Sequence, residues 1–277
     1  MKKNLIKLQI GVIGAVLLYM YWPVFCWMIE QWENNPNYTH GYIVPLACGY
    51  LIFKKREILK KIPAKASMAG IRLFGVGMLL YLLGNRIEFV QISLFSFLVV
   101  VFGLVLFYQG RERFREFIFP LGYFIFAIPM PEYLESFTIP LKSMASKVST
   151  DIMQMFGFNV IREGNIIFLP NYTLEVATAC SGLKSLVLVT AVGALYAYLT
   201  QRTIGRKWLL FAFSVPIAVL ANIARIVMVA MLASFYGEKL AFDFVHDFSG
   251  IFVFVVAGIL LAVTGVMIEW IAKKRAG

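Results

Sequence analysis

The sequence predicts an all-α integral membrane protein of about eight transmembrane helices, with a small extracytoplasmic amphipathic helix and β-hairpin, and three observations carry that reading. The 277 residues are 60% apolar with a mean hydropathy of +0.78, where soluble domains hold roughly 45–50%. Charged residues make up only 15%, against the usual quarter or so. The apolar residues also fall in long unbroken runs. A membrane barrel would instead alternate over segments of about ten residues, and only helices or closed barrels satisfy the backbone in lipid. A soluble enzyme, a disordered chain and a nucleic-acid binder are excluded, the last despite a net charge of +11.

Taken in chain order, the runs that approach the ~17–25 residues of a span cover residues 8–29, 41–53, 69–84, 89–108, 117–130, 180–199, 208–235 and 251–268. Lys2 and Lys3 before the first run resemble a signal peptide. The run is too long for a cleaved h-region, and no small-residue cleavage site follows, so it is expected to remain as the first span. The chain reads as one polytopic membrane domain, 1–277, with an extracytoplasmic insertion at about 131–179.

Charge orients the spans. With both termini cytoplasmic, the inner segments carry Lys2, Lys3, Lys7, Lys54, Lys55, Arg56, Lys60, Lys61, Lys65, Arg72, Arg111, Arg113, Arg115, Arg202, Arg206, Lys207, Lys273, Lys274 and Arg275. The outer segments hold only Arg86, Lys142, Lys147, Arg162 and Lys239. Basic residues are expected inside, so the positive charge is mostly topological, with anionic membrane lipid as its natural partner. The expected location is the cytoplasmic (inner) membrane.

Within the insertion, Leu134, Phe137, Leu141, Met144, Val148, Ile152 and Met155 recur at three- and four-residue spacing, an interfacial amphipathic helix broken near Pro140. The period then changes. Val160-Ile161-Arg162, residues 166–169 and residues 172–176 are short β-prone runs separated by Glu163-Gly164-Asn165 and Pro170-Asn171, which predicts a hairpin or meander leading to Cys180.

Ionisable residues within spans are costly and point to function. Arg225 lies 17 residues past Trp208, about 26 Å along a helix axis, which puts it near the outer boundary, with Asn222 one turn earlier on the same face. It serves a site, or it snorkels to headgroups. Cys180 sits where the insertion enters a span, so its thiolate gains from a helix N-terminus and from Lys184 one turn deeper. Cys26 and Cys48 lie inside apolar runs and read as packing residues. His40 and His246 both fall at outer boundaries. Cys180, Arg225 and His246 thus reach one layer in three consecutive spans: a nucleophile, a cation and a titratable base, as acyl transfer requires. Two histidines and one boundary cysteine lack the short-spaced ligand pairs of zinc, and neither metal nor cofactor is expected.

At these positions the sequence resembles the exosortase/archaeosortase family of membrane-embedded cysteine transpeptidases. The resemblance rests on Ala179-Cys180-Ser181-Gly182-Leu183, on Asn222-Ile223-Ala224-Arg225-Ile226, and on His246 with Gly250 four residues on. Thr39-His40-Gly41-Tyr42-Ile43-Val44-Pro45-Leu46 looks like the N-terminal motif of the bacterial exosortase branch. The resemblance implies catalytic Cys180, Arg225 and His246, with Asn222, Lys184, His40 and Ser181 supporting them or binding substrate. It implies secreted protein substrates ending in a short Pro-Glu-Pro-like motif, a transmembrane helix and a basic tail, and an amine-bearing acceptor. Some relatives carry a further extracytoplasmic domain after the last span. This sequence stops at Gly277, so that domain's work is expected to be absent or supplied by another protein. Two other readings stay open: a purely hydrolytic intramembrane cysteine protease, and a non-enzymatic anion transporter or lipid-binding membrane protein.

Overall fold

A computed structural model describes residues 2–131, 139–170, 172–175, 182–237 and 248–274. The chain packs as two compact units, Met1–Pro131 and Glu132–Gly277, and the division falls where the predicted insertion begins.

The first unit opens with α1 (Lys2–Asn34), a 3-10 turn (Thr39–Tyr42), α2 (Ile43–Lys54) and α3 (Arg56–Lys61). It continues with α4 (Ala69–Arg86), α5 (Val90–Gly122) and a second 3-10 turn (Tyr123–Ala127). Helices α4 and α5 are held together by glycine. Gly70, Gly77 and Gly84 recur every seven residues, about two helical turns, and are all buried. A Cβ on Gly70 would run into the Phe107 backbone nitrogen, one on Gly77 would meet the Val100 Cγ2 at 2.6 Å, and one on Gly84 the Ser93 Oγ at 2.5 Å. Small residues let backbones approach this closely, which is how helices associate in lipid, where apolar side chains gain nothing by leaving the solvent.

Helix α5 is broken at Gly110, whose φ of 78° and ψ of 175° are non-helical. The chain doubles back there, because Phe102 meets Phe114 with ring centroids 5.7 Å apart and Phe97 meets Phe124 at 6.1 Å. Helix α1 joins through Tyr21, which is fully buried. Its hydroxyl hydrogen-bonds Ser96 Oγ at 2.8 Å, and its ring packs on Tyr81 and Phe97.

The second unit comprises α6 (Ile139–Met155), strands β1 (Ile161–Glu163), β2 (Ile166–Leu169) and β3 (Tyr172–Glu175), then α7 (Gly182–Thr200), α8 (Ile204–Tyr236) and α9 (Ser249–Lys274). The strands form an antiparallel meander in order β1-β2-β3. Leu169 pairs with Tyr172, and Glu163 with Ile166, which leaves a two-residue turn at 164–165. Gly164 supplies the positive φ, 61°, that the first turn needs. Val160, Ile167, Leu169 and Leu174 bury their side chains in one core with Ala145 and Met153 of α6 and Ile223, Ile226, Val229 and Ala230 of α8. The β element is present, and α6 holds the expected amphipathic helix from Leu141 to Met155, while Leu134 and Phe137 lie outside the described residues; Pro140 stands in the first turn of α6, where proline is well tolerated. A second core unites Val189 of α7, Ala218 and Ala221 of α8, and Val253 and Ala257 of α9.

The expectation of eight spans is corrected. Among the described residues four helices are long and apolar enough to cross a membrane: Gly11–Asn34, Val90–Ala127, Ile204–Tyr236 and Ser249–Lys274. Two of the other expected spans fall short for a physical reason. Run 41–53 forms the 12-residue α2, about 18 Å long at 1.5 Å per residue against a core of about 30 Å. Run 69–84 forms α4, whose ends carry Arg72 and Arg86. Run 117–130 is the returning arm beyond Gly110, counted with run 89–108 and closing in a 3-10 turn. Run 180–199 overlaps the 19-residue α7, Gly182–Thr200, whose apolar part among the described residues is Ser185–Thr200.

Candidate active site

Helix α8 carries the polar centre of the second unit. Its 33 residues extend about 50 Å, longer than the hydrocarbon core. Arg225 lies 21 residues beyond Ile204, or about 32 Å along the axis. From a start at one membrane boundary it therefore reaches the other. Arg225 is 7% exposed and Asn222 6%, and the guanidinium Nη2 donates to Asn222 Oδ1 at 2.9 Å. The three-residue spacing that predicts a shared face thus yields a direct bond.

The guanidinium is under-satisfied. Its Nε is buried without a hydrogen-bond partner, and no carboxylate pairs with Arg225 among the described residues. A buried cation without a counter-charge is expensive, so the arrangement favours an incoming negative group. The scaffold holds it in place: Ile223 and Ile226, on either side, belong to the core under the sheet, and Ser149 of α6 reaches the Ile223 carbonyl at 3.5 Å.

Asn222 opens onto a narrow cleft of about 20 Å³ between three helices. Leu141, Lys142 and Ala145 of α6, Leu186 of α7, and Ala218 and Val219 of α8 complete its walls. Leu186 lies beside Asn222 in the first turns of α7, the helix that Cys180 leads into. Val253, in the first turns of α9, shares a core with Ala221 one residue before Asn222. The near ends of α7 and α9 are therefore packed beside the Arg225-bearing part of α8.

Of the residues expected in the site, Asn222 and Arg225 are brought together. Cys180, Ser181 and His246 lie outside the described residues, and Lys184 is described only as part of helix α7. His40 belongs to the first unit. It is buried in the Thr39–Tyr42 turn, with Nε2 3.1 Å from the Phe126 carbonyl. Trp32 Nε1 donates to the Ala127 carbonyl at 2.9 Å and the Tyr38 hydroxyl to that of Met130 at 3.1 Å. Gly41 is pressed against the Trp32 indole, where any side chain would clash. The Thr39–Leu46 motif thus has a fold role, docking one turn onto another. Lys142 went unnoticed as a site residue because its sequence signal is only a cation on an amphipathic helix. Cys26 and Cys48 are free thiols.

The fold and this centre define a helical, multi-pass membrane protein with a buried arginine beside a small sheet, without a carboxylate partner among the described residues. The family model described as "Transmembrane exosortase (Exosortase_EpsH)" matches residues 32–263, and the chain belongs to that family. No curated protein and no solved structure matches it.

Proposed function

We propose that the protein is a membrane-embedded cysteine transpeptidase that cleaves the C-terminal sorting signal of secreted proteins and transfers them to an amine-bearing acceptor. Family membership supports the reaction class. The observation that carries the chemistry is the buried Arg225 guanidinium, bonded to Asn222 and lacking a negative partner among the described residues.

In this reading the Cys180 thiolate attacks the scissile carbonyl carbon, and negative charge develops on its oxygen. Arg225, held by Asn222, stabilises that oxyanion, the largest single contribution in acyl transfer. Collapse breaks the carbon–nitrogen bond, and protonated His246 gives its proton to the leaving amine. A thioester on Cys180 remains. An incoming amine attacks it and passes a proton to His246, and the thiolate leaves, restoring the starting charges. Lys184 and Ser181 flank Cys180 and support the thiolate end, and His40 serves through the turn it holds. Water in place of the amine would make the enzyme a hydrolase.

The basic ends at Lys2, Lys3, Lys7 and at Lys273, Lys274, Arg275 favour both termini in the cytoplasm of a bacterial inner membrane. The chemistry then faces outward, and the substrate carries a short motif there, a transmembrane helix and a basic tail.

The test is intact mass spectrometry of a co-expressed substrate with wild-type protein and with Cys180→Ala. Loss of the substrate's C-terminal helix with wild type alone is expected, and the mass added at the new C-terminus distinguishes transfer from hydrolysis. Processing that continues with Cys180→Ala would sink the scheme.

A further inference from the structure

The first unit has a cavity of about 220 Å³ at the tip where α5 breaks. Lys65 and Ser67, in the loop before α4, face Gln109, Gly110, Arg111 and Glu112 across it. The loop is fastened in place. Arg113 Nε donates to the Ile62 carbonyl at 2.7 Å, and its Nη1 to Gln109 Oε1 at 2.7 Å. The Ser67 amide donates to the Phe107 carbonyl at 3.1 Å. Gly110 presses on the Lys65 carbonyl with a φ of 78°, an approach closed to any residue with a side chain.

The charge at this tip is lopsided. Residues 54–72 and 109–116 carry ten basic side chains against Glu57, Glu112 and Glu116. The ion pairs here engage Lys55 with Glu116, and Arg56 and Lys60 with Glu57. Lys65 and Arg111, which line the cavity, are in none of them. The cavity also adjoins an apolar surface. Ile71, Leu79 and Leu82 stand on the face of α4 opposite its buried glycines, Met68 caps the helix before them, and Met68 is 70% and Leu79 67% exposed. Lipid phosphates meet basic side chains at the end of an apolar helix face in this way.

We propose that this cavity binds an anionic phospholipid of the phosphatidylglycerol class. The phosphate sits between Lys65, Arg111 and the Gln109 amide, and Glu112 accepts from the headgroup hydroxyls. One acyl chain lies along Met68, Ile71, Leu79 and Leu82. The excess positive charge selects a net anionic lipid over a zwitterionic one, and the apolar stripe selects a lipid over free phosphate. The proposal is independent of the cysteine chemistry.

Native mass spectrometry of the full chain, titrated with phosphatidylglycerol or phosphatidylcholine of matched acyl chains, tests it. The wild type should hold one phosphatidylglycerol at least about tenfold more tightly than phosphatidylcholine, since each basic residue near a lipid surface adds roughly a fivefold preference. Glycerol phosphate in excess should not displace it. Lys65→Gln with Arg111→Gln should abolish the preference with the thermal midpoint unchanged. Lys61→Gln with Arg115→Gln, the same charge loss outside the cavity, should keep it. Equal binding of the two lipids, displacement by glycerol phosphate, or equal loss in both double variants would overturn the site. Should Lys65→Gln with Arg111→Gln fail to fold, the single Lys65→Gln variant must show a reduced preference, and an unchanged one overturns it as well.

Discussion

The Arg225–Asn222 pair is the centre of the proposed chemistry. A hydrogen bond to a charged group contributes roughly 1.5–3 kcal/mol when both partners are buried. Asn222→Leu removes the only acceptor that the guanidinium has among the described residues, so it should slow substrate processing by about tenfold or more, read as the first-order rate in a time course. Asn222→Asp keeps an acceptor but supplies a carboxylate that neutralises the cation. It should lower the rate as well, whereas a purely structural pair would tolerate the change. Wild-type rates in both variants would remove Asn222 from the mechanism.

Packing decides matters for the elements. The α4–α5 pair depends on glycine spacing, and its sensitivity should follow the contacts at each glycine. Gly70→Ala drives a methyl group into the Phe107 backbone, which cannot yield as a flexible side chain would. Overpacking of this kind costs about 1–3 kcal/mol, and the detergent-solubilised protein should unfold several degrees lower by thermal shift. Gly75→Ala, on the same helix with nothing within 4 Å, loses only backbone freedom and gains helix propensity. Its midpoint should stay level or rise. Equal effects at both positions would mean that close packing does not hold the pair together. In the second unit the sheet has a comparable part: Ile167, Leu169 and Leu174 press on α8 beside Arg225, so the meander stiffens the helix that carries the cation.

For the whole molecule, the proposed orientation rests on charge along the sequence. The basic clusters at the two ends of the chain would both have to cross the bilayer if the chain were inverted, which the positive-inside preference opposes. A fluorescent protein fused after Gly277 should be bright and an alkaline phosphatase fused there inactive. The reverse pattern would turn the Arg225 end of α8 inward and defeat the proposed outward site. Helices α7, α8 and α9 share one core, and with the short turn at 201–203 this puts the start of α7, the end of α8 and the start of α9 on one side. Orientation therefore decides the accessibility of all three together.

The membrane class, the position of Arg225 in a long apolar helix, its pairing with Asn222, the amphipathic helix and the β element were all legible in the residues. Each follows from a local period or from the cost of burying charge, and neither needs knowledge of distant neighbours. The count of spans was not legible. Hydropathy marks where apolar residues are, while helix length, the break at Gly110 and the return of the chain along Phe102 and Phe97 depend on what each segment packs against. The role of His40 in docking two turns, the cleft that joins Lys142 to Asn222, and the cavity between Lys65 and Arg111 likewise came only from tertiary structure. They unite residues about 40 to 90 positions apart, and no periodicity along a chain encodes a contact at that distance.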